Sequence, residues 1–199
     1  MRITKQIIFM AIILVLAGLA CGTATGIQVI PPDEAEDEIG ETPTEPEDTP
    51  EVGMVRSYPA PAGSKVVVEN QAYVVSSAIF SATDIVLSAN ESNPMPDTGM
   101  KYILVKLEIT CLKSPDEQCS FETHKIKLIG SKGIEYLIQE NVVDLDHQLK
   151  DTDFYGEAVL SGYLPFIVGV SETDFILVHE PFFGEVFYLE VPDEDDPLP

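Results

Sequence analysis

The stretch Lys101–Cys111, which reads KYILVKLEITC, alternates between apolar and polar side chains. Every second position is apolar from Ile103 to Cys111, whereas Lys106, Glu108 and Thr110 lie between the apolar positions. Successive side chains of a β-strand point to opposite faces of the sheet. The alternation therefore predicts a strand that buries one face in a core and exposes the other.

Similar short segments recur along the chain, separated by turn material such as GSKG at positions 130–133. They are Lys65–Glu69, Tyr73–Phe80, Phe121–Ile129, Val142–His147, Gly162–Val170, Phe175–His179 and Glu185–Val191. None of the intervening sequence shows the 3.6-residue period of an amphipathic helix. Several short strands without helices between them predict an all-β fold, an immunoglobulin-like antiparallel β-sandwich whose inner faces pack together.

Three segments carry a resemblance to a known family. TGMKYILVKLEIT at 98–110, SKGIEY at 131–136 and YGEAVLSGYLPFIV at 155–168 resemble, in the same order, marks of the telokin-like, immunoprotective extracellular protein domain. The resemblance spans residues 60–192, which are taken as the folded domain. It implies an immunoglobulin-like sandwich of the kind found on bacterial surface lipoproteins, with no catalytic residues to transfer.

Residues 1–20 have the features of an export signal. Arg2 and Lys5 precede the apolar run Ile7–Leu16, and small residues follow it. The tripeptide Ala20-Cys21-Gly22 resembles the site at which bacterial lipoprotein signals are cleaved and the cysteine is diacylated. We therefore expect Cys21 to carry lipid and to hold the protein at the cell membrane, facing the extracytoplasmic side.

Two alternatives to lipid attachment stay open. Lipoprotein signals usually place an aliphatic residue three positions before the cysteine, where this chain has Gly18. Ordinary cleavage after Ala20 or Ala24, or retention of the segment as an uncleaved anchor, would also be compatible with the sequence. In each case Arg2 and Lys5 stay inside, and the remainder of the chain is exported.

Residues 21–59 are predicted to form a disordered tether, and residues 193–199 a short acidic tail. Between Pro31 and Glu51 the sequence contains ten acidic residues, five prolines and no basic residue. Such a composition cannot bury enough apolar surface to offset the entropy of ordering the backbone. A tether of this length would reach between about 35 Å as a flexible coil and about 120 Å when extended.

Cysteine spacing supports export. If Cys21 carries lipid, Cys111 and Cys119 remain as an even pair separated by LKSPDEQ, a loop with turn-forming residues. Disulfides persist in oxidising compartments outside the cytoplasm. We expect Cys111 and Cys119 to form a disulfide that closes the turn between two adjacent strands.

The net charge of −23, with only 11 basic residues, excludes a nucleic-acid-binding surface, which needs clustered lysine and arginine. Four aspartates could gather oxygen ligands around calcium: Asp144, Asp146, Asp151 and Asp153. They lack the glycine and terminal glutamate of an EF-hand loop, so a solvated loop is the preferred interpretation. His124, His147 and His179 match neither a zinc spacing nor a nucleophile motif.

These observations favour a noncatalytic module without cofactor that binds an unknown protein or glycan of the cell envelope. The aromatic residues near the C-terminus raise the question of a partner surface, although alternation assigns about half of them to the core. They are Phe182, Phe183, Phe187 and Tyr188. The alternative is a calcium-dependent module or an envelope enzyme, which would require the aspartates to converge with a histidine in a pocket.

Overall fold

The computed structural model describes residues 26–32 and 51–193, and all structural statements concern these ranges. The strands are β1 Gln28–Ile30, β2 Lys65–Val68, β3 Gln71–Ile79, β4 Met100–Cys111, β5 Gln118–Phe121, β6 Ile126–Ile129, β7 Glu135–Leu137, β8 Thr152–Tyr155, β9 Val159–Gly169, β10 Ile176–His179 and β11 Phe187–Glu190. One short α-helix, α1, covers Thr83–Ala89, and a 3₁₀ turn covers Thr123–Lys125.

The strands form two facing antiparallel sheets, which confirms the predicted immunoglobulin-like sandwich. The larger sheet has the strand order β1-β2-β3-β4-β9, and the smaller sheet has the order β11-β10-β6-β7. The pair β5-β8 forms a separate two-stranded ribbon. All strand pairs in these sheets are antiparallel, as expected when short strands follow one another without crossover helices.

Strand β4, which contains the alternating stretch, lies between β3 and β9 in the larger sheet. Its side chains Ile103, Val105 and Leu107 are completely buried. They belong to one apolar cluster with Leu177 and Phe187 of the smaller sheet. The half-buried strand predicted from alternation therefore supplies the centre of the core, where burial of apolar surface drives folding.

The other face of β4 is also covered. Tyr102 and Leu104 are buried in a second apolar cluster that includes Val86 of α1 and Leu145 of a neighbouring loop. Helix α1 was not predicted, because seven residues are too few to display a helical period. The four consecutive apolar residues from Tyr102 to Val105 agree with burial on both faces.

The strand predicted for Val142–His147 is wrong, because this segment is a loop. Asp144 and His147 have positive φ angles of 55° and 52°, outside the β region. The loop crosses close to β9, where a Cβ atom on Gly162 would lie 2.3 Å from the carbonyl oxygen of His147. The segment predicted as one strand from Phe121 to Ile129 is interrupted by the 3₁₀ turn.

The predicted tether needs correction at both ends. Residues 28–30 form β1, which pairs with β2 at the edge of the larger sheet, and Ile27 is buried. Residues 51–60 lie along β11, where the Tyr188 amide donates to the Gly53 carbonyl at 2.8 Å. Ile27, Val29, Val52, Met54 and Ala60 belong to the core or pack against it, and burial offsets the entropy of ordering these segments. Residues 1–25, including Cys21, and residues 33–50 and 194–199 lie outside the described residues.

Cys111 and Cys119 form a disulfide in the structure, and their Cα atoms are 5.8 Å apart. The bond joins the end of β4 to β5, across the loop that begins at Leu112. Both cysteines are buried, with exposures of at most 3%. The structure therefore pairs the two residues that the spacing suggested and places the bridge within the apolar core.

Candidate functional site

A cavity of about 260 Å³ opens at one end of the sandwich, between the β2–β3 turn and the end of β10. It is lined by Val68, Glu69, Gln71, Tyr73, Ser120, Phe121, Glu122, His124, Lys125, His179, Pro181, Phe182 and Phe183. We call it the His179 cavity. It brings together residues from three separate parts of the chain, and its walls combine aromatic rings with polar side chains.

His179 occupies the last position of β10, and its side chain points toward the inner face of the smaller sheet. The imidazole stacks on Phe187 with ring centroids 4.8 Å apart and an interplanar angle of 15°. It also packs against Tyr73 at a centroid distance of 5.2 Å. Only 8% of the residue is exposed, so packing fixes the ring in one orientation.

Burial, together with the positive charge of nearby Lys125, lowers the pKa of His179 to about 4. The imidazole is therefore neutral at neutral pH. Burial raises the pKa of Tyr73, and the negative charge of Glu69 adds to this rise. The interior of the cavity thus holds two uncharged rings that can take part in hydrogen bonds.

Two buried atoms at this cavity have no hydrogen-bond partner within the described part of the chain. They are Oε1 of Gln71 and Nδ1 of His179. A carbonyl oxygen accepts hydrogen bonds, and Nδ1 of a neutral imidazole does so in the tautomer that carries its proton on Nε2. A buried polar atom without a partner costs about 1–3 kcal/mol, so both atoms would be stabilised by a donor.

The mouth of the cavity carries two exposed phenylalanines. Phe182 and Phe183 are 86% and 82% exposed and pack edge to face, with centroids 4.6 Å apart. Glu122 pairs with Lys125 at 2.6 Å. Glu69 forms no salt bridge with any described residue. The mouth therefore offers apolar rings beside a carboxylate that is free to pair.

A second concave site lies on the outer face of the larger sheet, between α1 and the loop 142–147. This groove has a volume of about 590 Å³. It is lined by Ile79, Asp84, Ile85, Ser88, Ala89, Leu104, Asp144, Leu145, Asp146, His147 and Tyr163. We call it the helix groove. Its floor is apolar, and its rim carries three carboxylates and, within the described part of the chain, neither lysine nor arginine.

Asn93 holds the two walls of the helix groove together. Its side-chain amide donates to the carbonyl oxygens of Val86 at 2.8 Å and Val143 at 3.0 Å. Its side-chain oxygen accepts from the Val143 amide at 2.8 Å. Only 5% of Asn93 is exposed, so these bonds are shielded from water. The groove is therefore formed before any ligand arrives.

The structure does not bring the four candidate aspartates together. Asp144 and Asp146 lie on the rim of the helix groove, and Asp144 accepts a hydrogen bond from Asn90 at 2.6 Å. Asp151 accepts from the amide and hydroxyl of Thr123, both at 2.7 Å, and these bonds lower its pKa. Asp153 is exposed on β8. Within residues 26–32 and 51–193 no group of three or more metal-ligating side chains occurs.

The three histidines are far from equivalent. His124 follows β5 in the 3₁₀ turn with a side chain that is 63% exposed, and His147 lies in the groove loop with a side chain that is 75% exposed. His179 alone is buried. The sequence did not predict that His179 is buried, since a buried histidine at the end of a strand has no characteristic spacing in the sequence.

A buried carboxylate elsewhere has a structural role. Glu172 is 3% exposed and accepts hydrogen bonds from the Ser131 hydroxyl at 3.2 Å and the Lys132 amide at 3.1 Å. Burial alone would raise its pKa, but these bonds, together with the Tyr136 hydroxyl, hold its pKa below the usual value. Glu172 joins two turns and faces neither concave site.

Sequence reasoning missed Gln71 and Tyr73 at the cavity and Ile79 and Ile85 at the groove. Gln71 and Tyr73 stand at inward positions of β3, and an inward polar residue at a strand end was the available signal. Of the four aromatic residues near the C-terminus, Phe187 is buried, Tyr188 is half-buried, and only Phe182 and Phe183 are exposed.

Among the described residues, no helix has both the length and the hydropathy that a membrane span requires.

No protein-family model matches the chain, and no curated protein matches it. Similar solved structures were found. The yjhA protein of Bacillus subtilis has a TM-score of 0.46 and 7% identity, and the match covers 66% of this chain and 98% of that chain. The ycdA protein of Bacillus subtilis, a candidate lipoprotein, has a TM-score of 0.49 and 8% identity, and the match covers 67% of this chain and 40% of that chain.

The secreted protein MPT63 of Mycobacterium tuberculosis has a TM-score of 0.43 and 9% identity, and the match covers 63% of this chain and 83% of that chain. The likeness to these proteins is one of fold alone. The finer resemblance to the telokin-like, immunoprotective extracellular protein domain stays a prediction.

Proposed function

We propose that the protein is an exported, lipid-anchored and noncatalytic module that binds an ammonium-bearing component of the cell envelope in the His179 cavity. The observation that carries this proposal is that two residues lining one cavity each have a buried side-chain atom without a hydrogen-bond partner, Oε1 of Gln71 and Nδ1 of His179. A telokin-like extracellular domain of the kind that the sequence resembles would be suited to such a role.

An ammonium group supplies what both acceptors lack. It carries up to three N–H donors and no acceptor. Hydrogen bonds that involve a charged donor are roughly twice as strong as those between neutral groups. A ligand with an alcohol or amide at the same place would satisfy the acceptors less well.

The positive charge of Lys125 in the cavity wall is paired with Glu122 at 2.6 Å, and other parts of the wall suit a cation. Tyr73, Phe121, Phe182 and Phe183 contribute aromatic rings, whose faces attract positive charge. Glu69 has no salt-bridge partner among the described residues and is available to pair with the ligand. The net charge of −23 raises the local concentration of cations around the whole molecule.

The size of the cavity limits the ligand. About 260 Å³ corresponds to roughly eight or nine water volumes of ~30 Å³ each. The cavity can hold an amine and a small part of the molecule that carries it, while the rest lies against Phe182 and Phe183. An amino sugar and the amino end of a peptide both have this chemistry.

A binding role agrees with the chemistry of His179 better than a catalytic one. A general base works best when its pKa lies near the operating pH. The pKa of His179 is about 4, so the imidazole is a weak base at neutral pH. The signal-like residues 1–20 support export and lipid attachment at Cys21. A lipid on Cys21 would hold the module at the envelope.

The proposal can be tested by titrating the chain from residue 22 onward, which keeps every described residue, and recording amide chemical shifts. Glucosamine should produce saturable shifts around Gln71 and His179, whereas glucose should not. Alanine amide, compared with propanamide, tests the amino end of a peptide as the source. The two ammonium probes thus distinguish a glycan ligand from a peptide ligand.

Two variants and a matched control locate the site. His179→Phe keeps a ring between Tyr73 and Phe187 but removes the acceptor, and Gln71→Met removes the other one. Each should weaken binding about tenfold, which corresponds to about 1.4 kcal/mol. Gln148→Met removes a buried side-chain oxygen that also lacks a partner but lies outside the cavity, and it should leave binding unchanged. Equal affinity for ammonium and neutral probes would refute the proposal.

A further inference from the structure

The helix groove is a second concave site, separate from the His179 cavity, and it differs from the cavity in shape and chemistry. Its volume of about 590 Å³ lies within the ~300–1,000 Å³ of typical ligand sites. It is built from α1 and the loop 142–147, two segments added to the outer face of the larger sheet. In a sandwich, that face normally meets solvent and carries polar side chains.

The floor of the groove is apolar and partly open. Leu104 and Leu145 are buried at its base, Ile79 and Tyr163 are half-buried, and Ile85 on α1 is 44% exposed. Ile79, Ile85 and Tyr163 stay partly exposed in the groove and leave apolar surface that a ligand can cover. The floor therefore selects for an apolar side chain.

The rim of the groove is negatively charged on both walls. Asp84 lies on α1, and Asp144 and Asp146 lie on the opposite loop. The charged and titratable groups that line the groove are these three carboxylates, the phenol of Tyr163 and His147, whose Nε2 is 3.5 Å from Oδ2 of Asp146. Among residues 26–32 and 51–193, no lysine or arginine lines the groove to neutralise the carboxylates. The rim therefore favours a positively charged partner.

From this complementarity we propose that the helix groove docks a basic peptide segment of a partner protein, with an apolar side chain on the floor and flanking lysine or arginine side chains at the three aspartates. The apolar anchor supplies buried area at the centre, and the charges at the rim fix the register. This docking site is independent of ligand binding in the His179 cavity.

Segments of the same chain do not fit this groove. Residues 33–50 contain nine acidic residues and no basic residue, and residues 194–199 contain three acidic residues and no basic residue. Both would be repelled by the aspartates of the rim. A second copy of the chain would bring the same net charge of −23, so a partner with clustered basic residues is the better match.

The experiment uses the chain from residue 22 onward and a set of fluorescent nonapeptides with Leu, Ile, Phe or Met at the centre and two lysines on each side. Fluorescence anisotropy measures affinity, and amide chemical shifts map the site. At least one peptide should bind saturably and shift residues of α1 and the loop 142–147. A peptide with glutamates in place of the lysines, or with serine at the centre, should bind at least about tenfold more weakly.

Protein variants separate docking from general charge attraction. Asp84→Asn with Asp146→Asn should weaken binding about tenfold, and Ile85→Lys, at an exposed position, should abolish it. Asp116→Asn with Asp153→Asn changes the net charge equally but lies outside the groove, and it should leave the affinity unchanged. Binding that is equally reduced in both double variants, or shifts that fall outside the groove, would overturn the proposal. Failure of all lysine peptides to bind saturably would overturn it as well.

The two proposals fail separately. Glucosamine shifts at His179 without peptide binding at the groove would support the cavity and reject the docking site. Peptide binding at the groove that His179→Phe leaves unchanged, together with no shifts from either ammonium probe, would support the docking site and reject ligand binding in the cavity.

Discussion

A buried neutral histidine makes stability depend on pH, and His179 provides a test at the scale of one residue. Its pKa falls from the ordinary 6.5 to about 4 in the folded protein. Between these values the unfolded chain binds a proton that the folded chain does not. The free energy of unfolding should therefore fall as pH decreases from about 6.5 to about 4, by on the order of 3 kcal/mol.

Urea unfolding of the wild type and His179→Phe at pH 7.5, 5.5 and 4.5 measures this contribution. The wild type should lose stability relative to His179→Phe as pH decreases. Tyr73→Phe alters the same packed cluster without removing a group that titrates in acid, and it should follow the wild-type pH dependence. Parallel curves for the wild type and His179→Phe would contradict the assignment.

At the residue scale, the sequence indicated which cysteines pair but not which polar residues meet. The cysteine pair is short-range, and its eight-residue separation restricts the geometry. Gln71 and His179 are separated by more than one hundred positions and meet only because both sheets are assembled. Contacts of that kind depend on the register between sheets, which alternation within one strand does not specify.

Helix α1 is a structural element that should depend on one side chain. A helix of seven residues is only marginally stable by itself, so its attachment to the loop 142–147 through Asn93 decides whether it stays formed. Asn93→Ala leaves the Val86 carbonyl and the Val143 amide without these partners. Each such loss costs about 1–3 kcal/mol.

Hydrogen exchange followed by mass spectrometry should show faster exchange in α1 and in residues 142–147 of Asn93→Ala, while β4 and β9 keep their protection. Asn141→Ala, an exposed asparagine beside the same loop, serves as the control and should exchange like the wild type. Unchanged exchange in α1 of Asn93→Ala would show that apolar contacts alone hold the helix.

The disulfide joins β4 to β5 and should stabilise this corner of the sandwich. By the chain-entropy estimate, closing so short a loop contributes roughly 2–3 kcal/mol. Cys111→Ala with Cys119→Ala avoids buried hydroxyl groups and should melt about 5–10 °C lower while keeping the fold. Thiol titration should find no free thiol from Cys111 or Cys119 in the oxidised protein, and two reactive thiols at these positions would contradict the pairing.

At the element scale, long alternating strands were the easiest to predict and short elements the hardest. Strands β4 and β9 contain 12 and 11 residues, so their alternation stands out. Strands β1 and β7 contain three residues each, which is too short for any period to be visible. The sequence of the loop 142–147 resembles a strand because it contains apolar residues. Val142 and Leu145 are buried, however, in the cluster that contains Val86 of α1, and they form no strand.

The proposed lipid attachment at Cys21 belongs to the scale of the whole molecule and can be tested in cells. Cys21→Ser should move the protein from the membrane fraction to the soluble or medium fraction, or leave it as an unprocessed precursor. Gly18→Leu brings the signal closer to the lipoprotein pattern and should keep the protein in the membrane fraction. Unchanged processing and fractionation of Cys21→Ser would show that Cys21 carries no lipid.

The whole-molecule organisation was predicted correctly in its fold and incorrectly in the extent of its tether. Composition identified the acidic segment around residues 33–50, but Ile27, Val29 and Met54 on either side of it pack against the core. A short apolar run next to a charged one does not reveal whether it pairs with the edge strand of a sheet. Pairing with β2 supplies that edge.

If Cys21 carries a lipid, strand β1 limits how far the domain can stand from the membrane. Cys21 is five positions before Gly26, and five residues of any conformation span at most about 18 Å. A lipid on Cys21 would therefore keep the β1 edge of the larger sheet close to the bilayer. Strand β9 lies four strands away, about 19 Å at ~4.8 Å per strand. The helix groove, which rests on β3, β4 and β9, would face partners that approach along the cell surface, not partners that diffuse far from it.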